Sequence, residues 1–76
     1  MNEDILSKFG KCLRNARIAK GLSQENLAAI VSLDRTYISL LERGKRNPSL
    51  ICIASLCNAL EIELSELFGE IENYEN

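Results

Sequence analysis

Apolar residues in this chain recur at steps of three and four and nowhere alternate over the length of a strand, so helices are the regular element that can bury them. Leu6, Phe9, Leu13 and Ala16 share one helical face, and Gly21 stands where a helix ends in left-handed geometry. The spacing predicts a first helix over about 5–20. Ser23 can accept a hydrogen bond from the free first-turn amides of a segment running from Gln24 to Val31. Asp34 does the same for Arg35 to Arg43, which Gly44 ends. Gly44-Lys45-Arg46-Asn47-Pro48 reads as a loop, because Gly, Asn and Pro favour turns and Pro48 lacks a donor. Ser49 then caps Leu50 to Leu60, in which Ile53, Leu56, Cys57 and Leu60 share a face and Cys52 lies off it. A short helix over about 64–68 precedes an acidic tail, 70–76, whose apolar residues are Ile71 and Tyr74. The expected fold class is all-α: a compact single domain of five helices over 1–76.

Seventy-six residues at 46% hydrophobic suffice for one core, marginal enough to favour oligomers and too small for a cleft walled by two layers. No run of about 18 apolar residues exists, and the chain starts Met1-Asn2-Glu3-Asp4, so the expectation is a cytoplasmic protein with neither signal nor membrane span. Cys12, Cys52 and Cys57 form an odd set without metal-ligand spacing, and the chain has no His. They are expected to be buried, reduced thiols, with no metal and no cofactor. Without His, a paired Cys nucleophile or a phosphate-cradling glycine loop, no catalytic residue is assigned and the chain is not expected to be an enzyme.

The formal charge of −2 conceals a segregation. Residues 8–46 hold all nine Lys and Arg against Glu25, Asp34 and Glu42, a net +6, whereas 47–76 hold six Glu and no cation, a net −6. Glu3 and Asp4 supply the rest. A polyanion senses the field within a Debye length of about 8 Å, so a basic half facing one is compatible with an acidic total. In the first helix Lys8, Lys11, Arg14, Arg17 and Lys20 step by three and wind round the helix, which reads mostly as solvated surface.

Two short helices joined by a three- to four-residue turn form a helix-turn-helix over 23–43, a unit whose second helix enters a DNA major groove. Counted from Gln24 as the first of twenty positions, Leu27, Ala28, Val31, Leu33, Ile38 and Leu41 fall where the helices pack on each other and on the core. Helical geometry then leaves Arg35, Thr36, Ser39 and Arg43 together on the other face. Arg can donate a bidentate pair to guanine, Thr offers a methyl and a hydroxyl, and Ser bonds base or phosphate. Lys45, Arg46 and Asn47 would continue that surface along the backbone.

With LSQENLAA, LDRTYISLLERGKRNPSL and LCNALEIELSELF in register over 10–68, the sequence resembles the lambda-repressor-like (XRE-type) helix-turn-helix family, and DRTYIS with the short length is most like the controller proteins of restriction-modification systems. The resemblance implies a sequence-specific transcriptional regulator that binds double-stranded operator DNA as a homodimer. It implies a phosphate contact from Gln24, a backbone contact from Arg17, and base or phosphate contacts from Arg35, Thr36, Tyr37, Ser39, Arg43, Arg46 and Asn47. Two alternatives stay open: Tyr37 packing beside Leu33 and Leu41, and Lys45 being merely solvated. Ser32 departs from the glycine usual in the turn, so the left-handed geometry either costs about 1 kcal/mol more or gives way to another turn. Cys57, Leu64, Leu67, Phe68 and Ile71 are the expected dimer surface, with Glu61, Glu63 and Glu66 as its rim; Leu64 and Leu67 have the alternative role of closing the monomer core. RNA polymerase is a further partner if the protein activates, though no patch for it is identifiable. A reading of a different class is an antitoxin-type or phage-type repressor whose acidic tail binds a protein partner.

Overall fold

Side-chain caps open three of the helices. The computed structural model describes residues 2–75, with side chains from residue 5 onward, and contains α1 (Asn2–Ala19), α2 (Gln24–Val31), α3 (Arg35–Glu42), α4 (Leu50–Leu60) and α5 (Leu64–Glu72), with no strand among the described residues. Ser23 Oγ accepts from the Asn26 amide at 2.9 Å, and Asn26 Oδ1 accepts from the Ser23 amide at 3.4 Å, a reciprocal box that opens α2. Asp34 accepts from the Thr36 amide at 2.9 Å, and Ser49 from the Cys52 amide at 3.0 Å.

Four helices end in one way. Amides of Leu22, Leu33, Lys45 and Ile62 reach back five residues to the carbonyls of Arg17, Ala28, Leu40 and Cys57 at 2.9–3.1 Å, each leaving one left-handed residue behind. Those residues are Gly21, Ser32, Gly44 and Glu61, with φ of 79°, 57°, 72° and 59°. The turn at Ser32 therefore keeps its left-handed form despite the missing glycine, and Glu61 repeats the geometry between α4 and α5.

One core draws on every helix: Phe9, Cys12 and Leu13 of α1, Leu27 and Ala28 of α2, Ile38 and Leu41 of α3, Leu56, Cys57 and Leu60 of α4, and Leu67 and Ile71 of α5. Cys52, expected off the buried face of α4, packs partly buried against it. α1 packs on both α3 and α5, while α2 packs on α3 and α4. The contact between α1 and α3 is close because of Gly10, where a Cβ would lie 2.5 Å from the Glu42 carbonyl oxygen. The end of α3 thus rests on the backbone of α1.

The C-terminal region differs from expectation in two respects. α5 continues to Glu72 rather than stopping near Phe68, because Ile71 lies one turn beyond Leu67 and extends its buried face, so residues 70–72 are helix rather than tail. Cys57, Leu67 and Ile71, expected on a dimer surface, are 2%, 1% and 5% exposed and close the monomer core. α1 packs across α5 and covers that side of the helix. Leu64 and Phe68 do reach the surface, but Leu50 and Ile51 at the start of α4 are the more exposed apolar residues.

Candidate nucleic-acid interface

Ile38 and Leu41, both fully buried, anchor α3 and fix which of its sides faces out. Arg35 and Thr36 are exposed on that side and Ser39 is half-buried. Arg43 is the C-cap residue rather than part of the helix; its amide donates to the Ser39 carbonyl at 3.1 Å, and its exposed side chain leaves from the helix end. Tyr37 is half-buried against the core. In the loop that follows, Lys45, Arg46 and Asn47 are exposed, and Arg46 donates to the Lys45 carbonyl at 3.0 Å. Among the described residues, no carboxylate pairs with Arg35, Arg43, Lys45 or Arg46, so four cations face solvent along α3 and its loop. Such an array suits the closely spaced anions of a nucleic-acid backbone.

Arg17 does not belong to that array. It was expected to reach out from the first helix, but it is only 8% exposed and its guanidinium points inward. Nε donates to Glu42 Oε2 at 2.6 Å, Nη2 to Glu42 Oε1 at 3.0 Å, and Nη1 to the Leu22 carbonyl at 2.8 Å. These bonds raise the Arg17 pKa above its ordinary value, with the Glu42 hydrogen bond as the main cause. Gln24 joins the cluster, its Nε2 donating to Glu42 Oε1 at 3.0 Å. A carboxylate as buried as Glu42 must be fully paired, and Arg17 is the cation within reach. Sequence reasoning missed Glu42, although a signal existed: it lies one turn after Ile38, on the inward face, where an acid demands a cation.

Lys20, just past α1, pairs with Glu61 and lowers its pKa, chiefly through the hydrogen bond. Burial raises the thiol pKa of Cys12, Cys52 and Cys57, which disfavours the nucleophilic thiolate.

Known proteins are similar to this chain in sequence and fold. The helix-turn-helix family model matches residues 13–67. The control protein C.MunI of a Mycoplasma species is 50% identical over 91% of this chain and 95% of its own. C.BamHI of Bacillus amyloliquefaciens is 42% identical over 99% of this chain and 96% of its own. The chain belongs to the helix-turn-helix family. Among solved structures, the restriction-modification controller protein C.AhdI from Aeromonas hydrophila superposes with a TM-score of 0.80 at 57% identity, over 83% of this chain and 96% of that one. The family is one of DNA-binding transcription regulators, and this member is like its restriction-modification controllers.

Proposed function

We propose that this regulator is a restriction-modification controller that binds paired operator half-sites as a homodimer and acts by occupancy rather than chemistry. The observation that carries this reading is α3 itself: Arg35, Thr36 and Arg43 stand clear of a helix anchored by Ile38 and Leu41, beside the unpaired cations of the following loop. In that reading Arg35 and Arg43 address guanines, Thr36 and Ser39 bond base or phosphate, and Lys45, Arg46 and Asn47 follow the backbone. Gln24 adds a phosphate contact from the start of α2, and Tyr37 flanks the groove.

Dimerisation follows from size. The longest dimension of the chain is 31 Å, whereas recognition helices that meet successive major grooves sit about 34–36 Å apart. A second copy must carry the second helix, and Leu64, Phe68, Leu50 and Ile51 are the exposed apolar residues of α4 and α5 available to join them. With Ile71 buried and Tyr74 half-buried, residues 70–75 present little apolar surface to a protein partner, which favours the controller reading over an antitoxin-type one. At a promoter that it activates, RNA polymerase would be its second partner.

The test is selection of bound sequences from a random duplex pool, followed by titration of the winner across salt. Two related half-sites about one helical turn apart are expected, with log affinity falling against log salt by about 0.9 per phosphate neutralised. No enriched sequence, or a slope near zero, would overturn the reading.

A further inference from the structure

Gln24 opens α2 with its side chain half-buried and tied to Glu42, the last residue of α3. A carboxylate can only accept, so Glu42 takes the amide nitrogen of Gln24 and settles which way the carboxamide faces. One Nε2 hydrogen is used in that bond. The other remains for an acceptor outside the protein, and a phosphate oxygen is an acceptor of the right kind. We propose that Glu42, neutralised by Arg17, is a positioning residue for DNA binding, holding the Gln24 carboxamide as a preset phosphate donor. The proposal rests on the reading of Gln24 as a phosphate contact.

Stability alone does not account for the Arg17–Glu42 pair, because two apolar side chains of similar volume in place of a buried ion pair are often neutral or stabilising. They would leave Gln24 free to rotate, and its order would then have to be gained during binding at an entropic cost. The pairing also explains why the cation is buried. A bare carboxylate beside a phosphate would repel it, whereas Arg17 satisfies both Glu42 oxygens and makes the cluster neutral. The third bond of Arg17, to the Leu22 carbonyl, holds the turn two residues before Gln24, so the same guanidinium fixes both the amide and the backbone that carries it.

A double-mutant cycle on operator DNA tests this. The pair Arg17→Met/Glu42→Leu removes no net charge, so its long-range effect on DNA is small. It should fold with a melting temperature near that of the parent, yet bind about tenfold more weakly with an unchanged salt slope, because the uncharged Gln24 carboxamide and the neutral pair release no counterion. Gln24→Ala should cost about tenfold in the parent and almost nothing in the paired variant. An equal loss in both backgrounds would overturn the proposal while leaving the phosphate contact intact. No loss in the parent would instead overturn the Gln24 reading, and the proposal with it. A measurement that needs no variant is the side-chain 15N relaxation of Gln24 in the free protein. A rigid carboxamide supports the proposal, and one as mobile as a solvent-exposed glutamine overturns it.

Discussion

Glu42 and Arg17 show how much a single residue's burial changes its role. Arg17→Met alone would leave Glu42 buried without its cation, and should cost about 3–5 kcal/mol in urea unfolding, far more than the paired Arg17→Met/Glu42→Leu. Arg35 and Arg43 behave oppositely, because both are exposed and, among the described residues, pair with no carboxylate. Replacing either by Ala should leave stability nearly unchanged and cost about 1–3 kcal/mol in operator affinity, relaxing preference at one base pair of each half-site. Equal weakening on all sequences would reassign that Arg to a phosphate. The cysteines set a pH dependence: burial lifts Cys12 and Cys57 above their ordinary value of 9.0. A raised folded pKa contributes stability below the unfolded pKa and loses it as pH rises through the folded one. Unfolding free energy should therefore fall above about pH 9, and the variant Cys12→Ala/Cys57→Ala should lose less across that range in parallel urea titrations. The outward face of α3 was legible in the sequence because Ile38 and Leu41 fix its opposite. Arg17 was not, since a cation stepping by three along an amphipathic helix looks solvated until its partner's position in space is known.

Helix starts were the most legible elements, because Ser23, Asp34 and Ser49 bond amides only two or three residues ahead and need no tertiary information. Helix ends were less so. Gly21 and Gly44 marked two, but Ser32 and Glu61 adopt the same left-handed geometry without glycine. Ser32→Gly should relieve that conformation and stabilise the domain by about 0.5–1 kcal/mol, read as a higher thermal midpoint with unchanged operator affinity. A lower midpoint would mean that the Ser32 side chain has a role beyond its backbone geometry. The last turn of α5 eluded the sequence because a helix ends where burial ceases to reward another turn. Ile71 gains that burial only once α5 packs on the rest of the core, against α1 and α4.

At the scale of the whole molecule, the two signs of charge occupy different halves of the chain. Cations face outward along α3 and its loop, while the segment from Asn47 to Asn76 carries six Glu and no cation. Phe68 is 41% exposed, so Phe68→Asp should preserve the helical circular dichroism while giving a monomer by sedimentation and much weaker operator binding. A Phe68→Asp variant that stayed dimeric and bound normally would move the interface elsewhere, with Ile51→Asp as the next substitution to examine. The sequence by itself determined the helical class, the starts of α2, α3 and α4, the two-helix unit and the face it turns outward, all of which follow from periodicity and from hydrogen bonds a few residues long. Only the tertiary structure decided that Arg17 is buried against Glu42, that Gly10 is the seat of α3, and that Cys57, Leu67 and Ile71 lie in the core. Each of those outcomes depends on which helix lies against which, a matter of contacts between residues distant in the chain that local spacing does not encode.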